Sequence, residues 1–435
     1  MNLRELAVKV VKTLRASGHE AYFAGGCVRD MVMHREPADY DVATSATPDQ
    51  VRRLFPRTIP VGEQFGVVVV VEEGLQVEIA TFRTDGPYTD GRHPATIAFT
   101  DVEGDVRRRD FTVNGMMYDP VDEKLIDLVG GRKDIEARLI RAIGEPRKRF
   151  EEDRLRLVRA VRFAARFGFT IEPATRSAIV DLASQIVAVS PERIAAELRF
   201  MLTDRSRAVA VRLLDDLGLL RHILPEVVEM KGVAQSEDWH PEGDVFVHTL
   251  RCLEGAGEAR WELVLAALLH DVGKPGTADA KGFAAHEKTG AEMTEEICRR
   301  LRLSNRECEE VGWLVKNHMR FRDARKMKVS TLKKLMSEPL FEDLAELHRI
   351  DAQASAGDLE TYRFVMDEYR KFREEKPPMK PMVSGDDLLA RGLKPGPAFK
   401  EILDEVYNAQ LEGKFPDRDG ALVFLDDVLR RRSVG

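Results

Sequence analysis

GGCVRDMVMHREPADYDVAT, residues Gly25 to Thr44, decides how this chain is read. Asp39 and Asp41 are separated by one residue, and on a strand such a pair points to one face. Clustered hard oxygens of that kind suit magnesium, and two-metal sites place ions roughly 3.5–4 Å apart to brace a phosphoryl group and activate an attacking hydroxyl. A site for nucleotidyl transfer is the first hypothesis, set against a strand end with two solvated acids. Gly25-Gly26 permits close backbone approach and opens a helix whose N–H groups can face a phosphate.

Working outward, residues 2–17 read as a helix, 20–24 as a short strand and 39–42 as the next strand. Thr47 caps a helix with Pro48 in its first turn, and strands follow at 65–71 (FGVVVVV) and 76–82, turning at Glu73-Gly74. Glu78 alternates with Val77 and Ile79, so it is either a third acid on the Asp39/Asp41 face or a solvent-face glutamate. The long polar stretch TDGPYTDGRHPATIAFTDVEGDV has the length of a functional loop. It leads to RRRDFTVNG, where Arg108 and Arg109 are cations for triphosphate oxygens, and Asp110 and Asn114 follow on a short helix.

Composition narrows the class. The 435 residues are 43% hydrophobic, enough for more than one core. No apolar run reaches about 18 residues, and Met1 leads straight into the amphipathic NLRELAVKVVKTLRAS, so a cytoplasmic location is expected. Cys27, Cys252, Cys298 and Cys308 are scattered without a C-x-x-C pair and read as reduced thiols. The net charge of −7 argues against a nucleic-acid partner, but residues 132–166 hold twelve basic against six acidic side chains.

Within that basic segment, Asp153 and Arg156 are three apart and on a helix share a face. A carboxylate beside a guanidinium can meet the Watson–Crick edge of cytosine or adenine, accepting from the amino group and donating to the ring nitrogen. The alternative is a surface ion pair worth a few tenths of a kcal/mol. Arg156, Arg159, Arg162 and Arg166 recur at helical spacing opposite Leu155, Val158, Val161 and Ala165, a basic stripe suited to phosphate contacts.

GGCVRD, DYD, RRDFTVNG and RFEEDRLRLVRAVRFAARFGF, in this order, resemble the signature of the class II tRNA nucleotidyltransferase and bacterial poly(A) polymerase family, within the DNA polymerase β superfamily. The resemblance implies an α+β chain: a small mixed-sheet nucleotidyltransferase head followed by an all-helical body. It implies that Asp39 and Asp41 ligate catalytic Mg²⁺, that Gly25, Gly26, Arg29 and Asp30 position triphosphate and sugar, and that the EDxxR motif, Glu152 to Arg156, selects CTP and ATP. The partner is then tRNA, and the product CCA, a single A, or poly(A). A shortened head loop marks CC-adding members, whereas Asp90, Gly91 and Arg92 are kept here, which disfavours CC-only addition.

In the helical half, His248, His270-Asp271 and Asp351 resemble the ligands of an HD domain holding a second divalent metal, with His286 and His318 as candidates to extend it to two ions. The alternative for each histidine is a packed or surface residue. The expected divisions are a head at 1–140, a helical neck at 141–230, an HD domain at 231–373 and, after the proline-rich KPPMKP, a helical tail at 374–435 whose Lys394, Lys400 and Arg430–Arg432 are candidates for tRNA contact. Two contrasting readings are a metal phosphohydrolase with a nucleotide-binding head, and an RNA-binding protein whose carboxylates have lost their role.

Overall fold

A computed structural model describes residues 1–59, 66–85, 97–236, 243–279, 282–375 and 380–433. The Asp90-Gly91-Arg92 element lies outside the described residues. The chain divides into two compact units, one of residues 1–228 with 299–303, the other of residues 229–298 with 304–435. The α+β class holds: the large sheet is confined to the start of the first unit and the body is mostly helical, though not all-helical, because Leu139–Ile140 pairs with Thr170–Ile171 and Ala278–Asp279 with Gly282–Phe283.

The first unit opens with α1 (Leu3–Ala16), started by a reciprocal Asn2/Glu5 capping box. There follow β1 (Ala21–Ala24), α2 (Gly26–Val32), β2 (Asp41–Thr44), α3 (Pro48–Leu54), β3 (Thr58–Ile59), β4 (Val67–Glu72), β5 (Leu75–Thr81), the paired β6 (Arg83–Asp85) and β7 (Ile97–Phe99), α4 (Val102–Arg107), β8 (Met117–Asp119) and β9 (Lys124–Ile126). Seven strands form one sheet in the order β3-β4-β5-β2-β1-β8-β9. All neighbours are antiparallel except β2 and β5, which run parallel. Alternation along the strands divides the faces. Phe23, Tyr40, Val42, Val68, Val70, Val77 and Ile79 pack with Leu6, Val10 and Leu14 of α1 in one core. The other face carries Asp41 and Glu78 among the small Ala24, Ala43 and Ala80, which leave a cleft of about 250 Å³ over the sheet.

Four local readings need correction. The stretch read as one long loop, residues 84–106, holds most of β6 and all of β7, which pair, and most of α4, whose start Asp101 caps. β2 begins at Asp41, not Asp39, and Asp39 sits in the irregular lead-in two residues before it. Asp110 is not helical; it precedes a single 3₁₀ turn, Thr112–Asn114. The helix expected to carry both Asp153 and Arg156 is broken between α6 (Pro146–Glu152) and α7 (Leu155–Phe167), which follow α5 (Gly131–Glu136). Asp153 is extended (φ −140°, ψ 104°), and its Oδ1 accepts from Leu155 N at 3.1 Å, opening α7 instead of continuing α6.

In the second unit the helix Trp261–Leu269 is apolar on nearly every side, with Leu263 to Leu269 all buried, and so lies at the centre. Val245–Gly255, Asn305–Asn317 and Phe341–Ala354 pack around it. The tail helices Gly385–Leu389, Pro397–Leu411 and Arg418–Ser433 share a core of Leu388, Ile402, Val406, Leu425 and Val428. No described helix is long and apolar enough to cross a membrane.

Candidate active site and helical metal centre

The parallel pairing of β2 and β5 sets Asp41 directly opposite Glu78. Both line the cleft over the sheet, and Asp39 joins Asp41 at the rim of a second, larger cleft of about 590 Å³. Glu78 shares the Asp41 face and is exposed to solvent there. Burial, then Glu78 and Asp39, push the Asp41 carboxyl up to about 7, against the pull of Arg109. Burial and Asp39 raise Glu78 as well. Asp39 and Glu78 oppose the ionisation of Asp41, an arrangement a cation would relieve.

The larger cleft gathers Gly25, Gly26, Arg29, Asp30, Arg108, Arg109, Asp110, Asn114, Asp153, Arg156, Arg159 and Arg162. Arg108 and Arg109 are clamped from behind by buried Asp105, at 2.7–2.9 Å and 2.9–3.1 Å. Burial works against the Asp105 charge, yet the two guanidiniums hold its carboxyl below the ordinary range. Gly25 lies at φ +72°, and a Cβ there would stand 3.2 Å from Arg109 Nη1, so the close approach requires glycine. Arg29 donates to Asn114 Oδ1 at 2.8 Å and to Asp30 Oδ1 at 2.9 Å, with its guanidinium over Phe167. Asp110 takes both Arg159 donors at 2.7 and 2.9 Å and Asn114 Nδ2 at 3.1 Å. Burial opposes its charge, but Arg159 holds it at about 2.

Asp153 and Arg156 reach one cleft without forming a pair. Asp153 Oδ2 accepts from Arg193 at 2.8 Å, reaching in from α9 (Pro191–Leu202), which follows α8 (Pro173–Leu182). Arg156 donates through Nη1 to Glu152 and Arg149 O, and through Nη2 to Arg108 O, each at 2.9 Å. The basic stripe is also less free than its spacing implied. Arg159 is held by Asp110, and Arg162 meets buried Glu197 at 2.7 Å, so neither is an unoccupied phosphate contact. The apolar side, Leu155, Val158, Val161 and Ala165, is buried as the spacing predicts.

Residues 21–141 match the poly(A) polymerase head domain, 168–230 the probable RNA and SrmB binding site of polymerase A, and 245–352 the HD domain. The CCA-adding enzyme of Geobacillus sp. (strain WCH70) is 32% identical over 410 residues, covering 94% of this chain and 93% of the relative. The chain belongs to the CCA-adding enzyme family. Over a shorter span the CCA-adding enzyme of Geobacillus kaustophilus is 45% identical, covering 50% of this chain and 54% of that one. The crystal structure of Bacillus stearothermophilus CCA-adding enzyme in complex with CTP superimposes with a TM-score of 0.76 at 30% identity, covering 100% of this chain and 99% of that one.

This CCA-adding family member carries a second constellation in its helical unit. His248, His270, Asp271, His286, His318 and Asp351, from five helices or their ends, converge with Cys252 in two groups of potential ligands. His248 Nε2 is 3.0 Å from Asp351 Oδ1, and Asp271 Oδ1 is 3.4 Å from His286 Nε2 and 3.8 Å from His318 Nε2. His270, His286 and His318 each place Nδ1 within 2.6–2.9 Å of a backbone carbonyl three residues back. A carbonyl only accepts, so Nδ1 carries the hydrogen and, in the neutral ring, Nε2 presents a lone pair to the centre. Two such lone pairs, His286 and His318 Nε2, stand 3.2 Å apart and need a proton or a cation between them. His270 Nε2, in a side chain 1% exposed, faces Asp271 Oδ2 at 3.2 Å but makes no well-formed hydrogen bond among the described residues. These donors fit a metal ion, and packed histidines alone leave their nitrogens unexplained.

The sequence reading missed the supports. Asp105 stands three and four residues before Arg108 and Arg109, a visible i,i+3/i,i+4 signal. Lys274, whose Nζ lies 2.7 Å from Asp271 Oδ2, is likewise three residues on in HDVGK. Cys252 follows His248 by four, one helical turn. Glu197 and Arg193 come from a distant helix and had no local signal. In the tail, Arg432 donates to Glu401 and Glu405 and Arg431 meets Asp427, so part of that basic end is matched by its own acids.

Proposed function

We propose that this chain completes tRNA 3′ ends to CCA from CTP and ATP without a nucleic-acid template. The observation that carries the reading is the convergence on one cleft of the Asp39/Asp41 carboxylates, the Asp105-clamped Arg108 and Arg109, and the Asp153/Arg156 end of α7. Asp39, Asp41 and Glu78 would hold Mg²⁺, which supplies charge neutralisation at the α-phosphate and the attacking 3′-hydroxyl. Arg108 and Arg109, fixed before substrate arrives, receive the triphosphate without reorganisation. The Gly25-Gly26 turn lets that charge approach the backbone, and the Arg29–Asn114–Asp110–Arg159 chain fixes the wall behind the sugar. Asp153, anchored by Arg193, accepts from the amino group shared by cytosine and adenine. Arg156 Nη2 gives one N–H to Arg108 O and keeps the other for the ring nitrogen. Uracil and guanine present a carbonyl where Asp153 requires a donor.

The head (1–140), neck (141–230), HD (231–373) and tail (374–435) divisions are proposed as the working domains. The test of the main reading uses tRNA transcripts ending at the discriminator base, at C and at CC, each with labelled CTP, ATP or both, resolved to one nucleotide. Completion of all three to CCA is expected. One A gained only on the CC-ending transcript would mean A-addition in a split system, and long A tails a poly(A) polymerase.

The convergence of His248, His270 and Asp351 beside Asp271, His286 and His318 supports a second reading, a divalent-metal phosphohydrolase activity in the helical unit. It predicts metal-dependent phosphate release, without tRNA, by protein carrying Asp39→Ala and Asp41→Ala, and its loss in His270→Ala. Equal release from both proteins refutes it.

A further inference from the structure

We propose that Cys252 supplies a thiolate ligand to the ion held by His248, His270 and Asp351, so that this position takes a thiophilic transition metal of the zinc class in preference to magnesium. The inference rests on the reading of the helical cluster as a metal centre. Cys252 lies one turn beyond His248 on the helix Val245–Gly255, and the two side chains share a face. Its Sγ stands 3.4 Å from His248 Nε2, and potential ligand atoms of His248, Cys252, His270 and Asp351 all lie within 4.8 Å of one another. Tetrahedral zinc with nitrogen and sulfur ligands has ligand–ligand edges of about 3.4–3.8 Å.

The crowding at one atom argues for a cation. His248 Nε2 is approached by Asp351 Oδ1 at 3.0 Å, Cys252 Sγ at 3.4 Å and Asp271 Oδ2 at 4.0 Å. A single N–H can serve only one of these, while His270 Nε2 beside them faces Asp271 Oδ2 at 3.2 Å without a well-formed hydrogen bond among the described residues. An ion at the centre satisfies sulfur, both imidazoles and the carboxylate together. Apolar packing accounts for the other side of Cys252, where Ala256, Ile350 and Ala354 enclose it, but not for a sulfur turned toward a histidine nitrogen. Soft thiolate and imidazole donors select zinc, cobalt and their neighbours over magnesium, which takes oxygen. On binding, the thiol S–H bond breaks, its proton leaves to solvent and a sulfur–metal bond forms, with no change of oxidation state.

Cobalt(II) added to the metal-stripped full chain tests this by absorption. The expected spectrum has intense visible d–d bands together with a near-ultraviolet thiolate-to-cobalt charge-transfer band, and Cys252→Ser loses the charge-transfer band while keeping the visible ones. Visible bands without charge transfer in the wild type, or a charge-transfer band that persists in Cys252→Ser, overturn the thiolate ligand and leave the metal centre standing. Absence of intense visible bands in the wild type removes the metal centre and this inference with it. Should the serine variant fail to fold, Cys252→Ala preserves the apolar contacts and gives the same comparison, and His270→Ala, which removes a ligand of the same ion, is expected to lose both sets of bands.

Discussion

The two acid-bearing centres of the molecule solve opposite problems. In the head, Asp39, Asp41 and Glu78 offer oxygen alone, at the rim of clefts, with Asp39 and Glu78 exposed. In the helical unit the donors are mostly imidazole, deeply buried, with three tautomers fixed by backbone carbonyls. An open oxygen site suits a hard ion that keeps waters and shares substrate phosphates; a closed nitrogen-rich site suits a resident ion. The difference teaches that the donor set, more than the acid count, tells the two centres apart.

The sharpest way to break the comparison is to remove one ligand from each. Asp41→Asn is expected to lower CCA addition by at least about a thousandfold while far-ultraviolet circular dichroism is unchanged. His270→Ala is expected to leave addition within about twofold and to lower the bound metal of the purified full chain. Loss of addition in His270→Ala would show the centres to be coupled.

A thermodynamic version uses the raised Asp41 carboxyl. Its folded-state value of about 7 exceeds the ordinary 3.8, so between these pH values the folded chain binds more protons than the unfolded one. Stability from this group is therefore lost as pH rises through that window, by at most about 4 kcal/mol in full. In chelator, the Tm of Asp41→Asn should gain on the wild type from pH 4 to pH 8, and Mg²⁺ at pH 8 should narrow the gap by stabilising the wild type. A difference that does not change with pH removes the repulsion argument.

Base choice is expected to respond less. Asp153→Ala should reduce the preference for CTP and ATP over UTP and GTP by about 10- to 100-fold, and Arg193→Ala should act in the same direction more weakly, because it frees the Asp153 carboxylate without deleting it. Discrimination that survives Asp153→Ala unchanged would sink the protein-template reading.

How much of this was legible follows from the range of the interactions. Spacing opposed α7's apolar side to its arginines, a local periodicity, and marked Asp39 and Asp41 as neighbours on one cleft, though the strand assumed to align them begins only at Asp41. It could not show that Asp153 interrupts the helix, because the run from Phe150 to Leu157 contains no glycine or proline; the break comes with Asp153 capping α7 and bonding a guanidinium forty residues away. The same limit applies to Arg159 and Arg162, whose acids, Asp110 and Glu197, lie 49 and 35 positions from them. His286 and His318, thirty-two positions apart, meet only through helix packing. Cys252 was within reach of spacing, four residues from His248, but a single thiol without a C-x-x-C partner reads as inert.

The smallest effect is expected where the sequence suggested a tRNA contact in the tail. Arg432 is exposed and donates to Glu401 at 2.9 Å and Glu405 at 3.1 Å. Exposed ion pairs of this kind contribute little, so Arg432→Ala should shift Tm by less than about two degrees. The informative quantity is the salt dependence of tRNA affinity. A guanidinium already matched by two carboxylates displaces no phosphate counterion, and the slope of log K against log salt should stay as in the wild type. Each arginine that does meet phosphate adds roughly 0.7–0.9 to that slope, so a fall of that size in Arg432→Ala would mean the residue exchanges its glutamates for RNA.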